Sequence, residues 1–311
     1  MPQSMLFVRD FRHMTGGHLK FSHYLDYAAA SGLVRPWLYL SEGSADPQGL
    51  FAAAGVRRVR RPVDADSYFV AGLDWGVLDW AGVETRGKPV INLVQHVRHA
   101  NPDDPRYPYL SRPALRICPS QEVADALRVT GRVNGEIVVI PYGIDVLDAE
   151  RPAIRPQPGR VFIGGLKNPA VAELVARHLQ PPLRVDLCNE QTPRGAYLER
   201  LAGAALCVLL PTPTEGYFLP AIEAMVLGVP VVTVDCVGNR SFCRHEQSCL
   251  IADYDVDSLV AAALRLADDA ALSERLRRGG HDMAQGQGRS QERQSFLSCL
   301  ARVVETPFAP L

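Results

Sequence analysis

The run Pro211-Thr-Pro-Thr-Glu-Gly-Tyr-Phe-Leu-Pro-Ala-Ile-Glu-Ala-Met-Val-Leu-Gly-Val-Pro-Val-Val-Thr-Val234 decides how this chain is read. It follows an apolar strand candidate at 205–210 and passes through a loop of Pro, Thr and Gly. Pro220 is placed as a first helical residue, where its missing N–H costs nothing. Residues 221–227 carry the helix, Gly228 ends it, and 229–234 read as the next buried strand. Glu215 therefore falls on a loop at the carboxyl end of a strand, and Glu223 in the first turn of the following helix. Open α/β sheets bind ligands at that edge. The N–H groups of Gly216, Tyr217, Phe218 and Leu219, with the helix N-terminus, face the same space and suit a phosphate or diphosphate.

A glutamate in a first helical turn is common because it complements the helix dipole, so Glu223 alone reads as structural. Glu215 is different. A carboxylate beside Gly216, on a loop at the ligand edge, has no packing role. Two carboxylates bracketing an amide-lined loop suit sugar hydroxyls on one side and ribose hydroxyls on the other.

The segment from Glu215 to Val232 resembles the donor-site motif of retaining GT-B glycosyltransferases, the large family-four group (glycosyl transferases group 1), which reads E-G-F-G-L-P-x-x-E-A-M-x-x-G-x-P-V-V. The resemblance implies a nucleotide-sugar donor. Glu215 is then expected against the transferred sugar, Glu223 against the ribose, and the amides of Gly216 to Leu219 against sugar and phosphates. Tyr217-Phe218 replaces the usual Phe-Gly and places a bulky ring near the sugar, which leaves donor identity open.

At 311 residues the chain is comfortable for two domains. Its formal net charge of −1 argues against a general nucleic-acid surface. No apolar run has the length of a membrane span, and no basic-then-apolar signal pattern opens the sequence. The seven cysteines are scattered and lie mostly in apolar settings, which reads as buried, reduced thiols in a cytoplasmic protein. None has zinc-finger spacing, and neither a bound metal nor a cofactor is expected.

Strand and helix patterns alternate throughout. Strands are predicted at 5–9, 34–40, 68–73, 90–95, 116–119 and 137–141, with helices at 18–31 and 121–130. After the Pro-rich stretch 148–159 the alternation restarts at Val161. Two βα series joined by such a break predict an α/β protein of two Rossmann-like domains with a donor and acceptor cleft between them, the GT-B plan. The expected domains are residues 1–150, on the acceptor side, and 158–290, holding the nucleotide-sugar. The last helix, 291–311, is expected to cross back onto the first domain, as the family implies.

Other residues gain weight from position. Gly16-Gly17 follows the first strand and opens a helix, where glycines let backbone approach a ligand; an ordinary turn is the competing reading. The family implies that this pair lies under the donor diphosphate. His96 ends the strand at 90–95, and the family implies a histidine there close to sugar and acceptor; His99 is a weaker candidate. The segment 98–109 reads as an acceptor-facing loop or a solvated connection. Ile140-Pro-Tyr-Gly-Ile-Asp145 resembles the family's run before the linker. Val161-Phe-Ile-Gly-Gly-Leu-Lys167 carries Gly165 where the family has a phosphate-binding arginine, so Lys167 is expected to meet part of the phosphate charge, with Arg240 as a second source. Residues 188–194 are candidates for the donor pocket. The basic cluster Arg57-Arg58-Val-Arg60-Arg61 reads first as a solvated face and leaves room for peripheral membrane contact. Asp253 and Asp255 precede a helix and read as caps, not as a metal site.

The resemblance thus implies a retaining, metal-independent glycosyltransferase with His96 and Glu215 as its catalytic residues. It moves a sugar from a nucleotide-diphosphate donor to a hydroxyl of a glycan, a lipid-linked or a small-molecule acceptor. Two other readings stand beside it. One is a GT-B-like epimerase or phosphorylase of activated sugars; the other is a catalytically impaired nucleotide-sugar-binding accessory protein.

Overall fold

The computed structural model describes residues 2–12, 15–46, 49–144 and 155–305. The chain divides into two units, residues 1–142 with 290–311, and residues 143–289. Asp145, the stretch 148–154 and the terminal residues 306–311 lie outside the described residues.

Among the described residues of the first unit, seven strands form one parallel sheet. In chain order they are β1 (Gln3–Arg9), β2 (Val34–Leu40), β3 (Arg57–Arg58), β4 (Ser67–Ala71), β5 (Val90–Leu93), β6 (Leu115–Cys118) and β7 (Ile137–Val139). Their spatial order is β3-β2-β1-β4-β5-β6-β7. The first strand is central, and the winding reverses between β1 and β4, which makes their carboxyl ends the ligand edge. Helix α1 (Gly16–Ser31) opens with Thr15 as its cap and ends before Gly32 at φ 71°. Helices α2 (Asp74–Trp80) and α3 (Gln121–Val129) follow β4 and β6.

Among the described residues of the second unit, five strands form a parallel sheet: β8 (Gln157–Gly164), β9 (Arg184–Cys188), β10 (Ala204–Leu209), β11 (Val231–Val234) and β12 (Leu250–Ala252), in the order β12-β11-β10-β8-β9. Its helices are α4 (Pro169–Leu179), α5 (Arg194–Ala202), α6 (Leu219–Val226), α7 (Val256–Asp268) and α8 (Ala270–Gln285). Winding reverses between β8 and β10, so the loops after Gly164 and Leu209 meet at the switch point. Leu206 and Val208 of β10 join Val161, Ile163 and Val232 in a core closed by Leu259 and Ala263 of α7. That two-residue period is what a strand dictates.

The final helix, α9 (Arg289–Glu305), packs in the first unit. Phe296 sits 4.7 Å from the Tyr24 ring and within the cluster that holds Phe7, Phe21 and Phe69. Glu292 is buried there with Lys20 at 3.5 Å and accepts a hydrogen bond from Tyr27 at 2.9 Å. Its carboxyl is held below the usual range because His23, Lys20 and Tyr27 together outweigh the cost of burial.

Candidate functional site

In the second unit the switch point gathers the acidic residues. Glu215 lies on the loop after β10. Its Oε1 accepts from Thr212 N at 3.3 Å and from Thr212 Oγ1 at 2.9 Å, which folds the carboxylate back over its own loop. Lys167, on the loop after β8, brings its ammonium to 3.5 Å from the same oxygen. The carboxylate is 15% exposed and the lysine 51%, so the pair is open to a ligand from the lysine side.

Glu223 lies in α6 and is 3% exposed. Arg194, the first residue of α5, donates from Nη1 to its Oε1 at 2.6 Å. The predicted pocket segment 188–194 thus supplies the partner of Glu223, a pairing that spacing alone does not give. Half-buried Tyr197, one turn further along α5, has its hydroxyl, which lies inside the protein, pushed well up, first by burial and then by the negative charge of Glu223. Leu219 starts α6, so Pro220 is its second residue rather than its first, and Gly228 follows the helix at φ 72°.

The loop between the two glutamates is fixed from one side. Phe218 N donates to Gly238 O at 2.9 Å, and Leu219 N to Tyr217 O at 3.1 Å. Two of the four amides expected to face a ligand are therefore already held by protein carbonyls. The rings of Tyr217 and Phe218 are both buried. Tyr217 packs 5.3 Å from Phe242 and donates its hydroxyl to Gln287. The ring expected beside the sugar is thus directed into protein at Tyr217.

Gly165 has no room for a side chain, because a Cβ there meets the Ala172 Cβ at 2.2 Å. An arginine at this position is excluded by the close packing of α4 against the end of β8. Positive charge at this edge comes instead from Lys167, from Arg194 and from Arg240, which pairs with Asp235 at 2.6 Å. Asp255 caps α7 by accepting from Ser258 N at 2.8 Å, the role its position predicts. Among the described residues, no group of three or more His, Cys, Asp or Glu side chains is arranged to hold a metal ion. All seven cysteines are buried free thiols.

In the first unit, Gly16 and Gly17 open α1 at the carboxyl end of β1. Gln95 Nε2 donates to Gly17 O at 3.2 Å and to Tyr142 Oη at 2.6 Å. A Cβ on Gly17 would stand 2.8 Å from Gln95 Oε1, the far end of a flexible side chain, so a larger residue here would displace Gln95 from its contact with Gly17 O. His96 caps a short 3-10 turn, Val97–Ala100, accepting from Arg98 N at Nδ1. A neutral ring so placed carries its proton on Nε2. His99 is buried, and burial, helped by Arg106, pulls it down to about 3, so it stays neutral. Arg9, the last residue of β1, lies 3.3 Å from Asp74 after β4. Burial lifts the Asp74 carboxyl to about 6 in spite of that arginine. This pair was not singled out from sequence; Arg9 ends β1 and Asp74 opens α2.

The family model for glycosyl transferases group 1 matches residues 113–269, half of the chain. The chain belongs to this family. A D-inositol 3-phosphate glycosyltransferase of Jonesia denitrificans is 29% identical over 190 residues, which are 59% of this group 1 chain and 44% of that relative. The match therefore spans less than half the length of the curated relative. Among solved structures, Anabaena HepE in complex with UDP-glucose superposes with a TM-score of 0.73 at 14% identity, over 96% of this chain and 99% of the other. A sucrose-phosphate synthase from Thermosynechococcus elongatus gives 0.69 at 15% identity, over the same shares. At such identities the likeness shows the fold, which is GT-B, with two Rossmann-like domains. Among the described residues no helix is long and apolar enough to cross a membrane.

Proposed function

We propose that this group 1 chain is a retaining, metal-independent glycosyltransferase of the family-four kind, transferring a sugar from a nucleotide-diphosphate donor to an acceptor hydroxyl. The observation that carries the reading is the double pairing at one switch point, Lys167 with Glu215 and Arg194 with Glu223. Each pair sets a cation beside a carboxylate at the edge where a doubly wound sheet takes ligands. The carboxylates suit hydroxyls of sugar and ribose, and the cations suit a diphosphate whose negative charge grows as it leaves.

In this reading the acceptor oxygen bonds to the anomeric carbon on the face from which the diphosphate departs. The bond from that carbon to the phosphate oxygen breaks, and the departing phosphate oxygen takes the acceptor proton. The protein supplies position and charge rather than a base of its own. Glu215 holds the transferred sugar, Glu223 the ribose, and Lys167 the phosphates, while His96 and the Gly16-Gly17 turn serve from the first unit. Buried free thiols fit a reducing, cytoplasmic setting.

A thermal-shift series with UDP, GDP and TDP, each with its glucose conjugate, tests donor binding, since a ligand held only by the folded state raises the melting temperature. UDP is the expected ligand, given HepE. NMR of the product with an added acceptor then gives the anomeric configuration, and EDTA is expected to leave the rate unchanged. A product of inverted configuration would defeat the retaining mechanism. Nucleotide binding with neither transfer nor donor hydrolysis would assign the accessory role instead.

A further inference from the structure

The first unit carries a cavity of about 670 Å³ whose lining includes Arg61, Pro62, Asp64, Trp80, Glu84 and Lys88. Its volume falls in the range of small-ligand sites. Arg61 to Asp64 lead into β4, and Lys88 leads into β5. The cavity is therefore at the amino ends of these parallel strands, the edge of the sheet opposite to Gly16, Gly17 and His96.

Trp80, the last residue of α2, is 76% exposed, far more than a large aromatic ring usually is. Around it stand charged groups, of which Asp64, Glu84 and Lys88 are held by hydrogen bonds. Tyr68 Oη donates to Asp64 Oδ1 at 2.9 Å, and Lys88 donates to the same oxygen. Those two contacts hold the Asp64 carboxyl below its usual range while leaving it 74% exposed. Glu84 Oε1 accepts from Arg86 N at 3.0 Å. Arg61 and Lys88 balance Asp64 and Glu84, so the lining favours neither an anion nor a cation. An indole face beside prepositioned donors and acceptors suits a neutral ring that is apolar on its C–H face and rich in hydroxyls at its rim.

We propose that this cavity is a saccharide-binding site, separate from the transfer site, that takes a neutral sugar residue of an oligosaccharide with the ring laid on Trp80. The carboxylates of Asp64 and Glu84 accept from its hydroxyls, and Arg61 and Lys88 donate to them. The inference does not rest on the donor chemistry proposed above.

The full chain, labelled with ¹⁵N, has indole N–H groups at Trp37, Trp75 and Trp80 to report binding. The Trp80 signal is assigned by its loss in Trp80→Phe. Maltotetraose, cellotetraose and chitotetraose are titrated separately, with UDP as the reference ligand for the other site. At least one tetrasaccharide is expected to shift the Trp80 signal saturably. Calorimetry with that tetrasaccharide then reads the variants, one of which lacks the reporter: Trp80→Ala and Asp64→Ala should weaken binding tenfold or more, with UDP affinity unchanged in both. The idea is overturned if no tetrasaccharide moves the signal at tens of millimolar, or if Trp80→Ala binds as the parent does. It is also overturned if light scattering shows that Trp80→Ala converts a dimer to a monomer, which would give this surface to a second copy of the chain. Failure of UDP alone to bind would count against the donor site and leave this one standing.

Discussion

Arg194 places Nη1 2.6 Å from Oε1 of Glu223, and this one contact joins the start of α5 to the second turn of α6, not the first as the sequence suggests, because the helix begins at Leu219; the carboxylate there is 4% exposed. A carboxylate so covered loses its hydrogen-bond donor when the partner is removed, whereas Arg194 is 35% exposed and can hydrate by itself. The two residues are therefore not equivalent when removed. Arg194→Ala is expected to cost about 1–2 kcal/mol of stability, less than a fully buried pair because of the arginine's exposure. Arg194→Lys should recover part of it. Glu223→Ala should weaken UDP binding by roughly tenfold to a hundredfold through lost charged hydrogen bonds. Calorimetry with UDP decides the second point, and undiminished affinity would remove Glu223 from the ribose.

Lys167 and Glu215 make the opposite case. Their pair is half open to water at 3.5 Å, and such a pair contributes little to folding. Lys167→Met should change stability by less than about 0.5 kcal/mol. Its effect on transfer should be on the order of 10²-fold in kcat, if the ammonium meets the leaving diphosphate. A melting curve and a progress curve on the same preparation separate the two. Equal losses in both would make Lys167 a structural residue.

Much of this was legible in the sequence because it follows from period and punctuation. The run at 90–93 is a fully buried strand, and 34–40 is a strand buried at most positions with Arg35 turned to solvent; such interior strands of parallel sheets are rich in apolar residues. Pro220 and Gly228 bracket a helix by their backbone limits alone, which fixed the positions of both glutamates to within a residue. What stayed hidden depends on side chains arriving from separate loops. Nothing local to Arg194 says that it meets Glu223, 29 residues away. The lack of space at Gly165 is set by Ala172, and the Arg9–Asp74 pair by the end of β1 and the start of α2, 65 residues apart. The final helix packs in the first unit through the aromatic cluster around Phe296, a contact that no local pattern in residues 289–305 announces.

Asp74 should leave a mark on the pH dependence of stability. Its carboxyl is raised from 3.8 to about 6, chiefly by burial, with Arg9 opposing. The folded state then binds a proton that the unfolded state has already lost between these two values. The stability Asp74 contributes is complete below about pH 4 and falls away as pH rises through 6. The size of that change is on the order of 3 kcal/mol at 1.36 kcal/mol per unit. Urea midpoints for the parent and Asp74→Asn at pH 4.5 and 7 should therefore converge or cross in favour of the variant at the higher pH. A parent that gains on the variant with rising pH would mean that the pairing with Arg9 outweighs burial.

Gly238 is the tightest constraint on the loop that carries Glu215. A Cβ on it would stand 2.7 Å from Tyr217 N, 2.8 Å from Glu215 O and 2.9 Å from Tyr217 Cα. These are backbone atoms, so they cannot swing aside as a side chain does. Gly238→Ala must push the loop or break the bond from Phe218 N to Gly238 O. Either outcome displaces Glu215 from Lys167, whereas Glu223 is held separately by α6 and Arg194. The variant should stay folded, losing about 1–3 kcal/mol as overpacked sites do. It should keep UDP affinity close to the parent's while kcat falls, because a positioning residue acts on the transferred sugar through Glu215. Calorimetry with UDP beside kcat and KM for the sugar nucleotide reads this directly. If affinity for UDP collapses together with kcat, the loop and the ribose contact form one unit, and the division of labour between Glu215 and Glu223 is wrong.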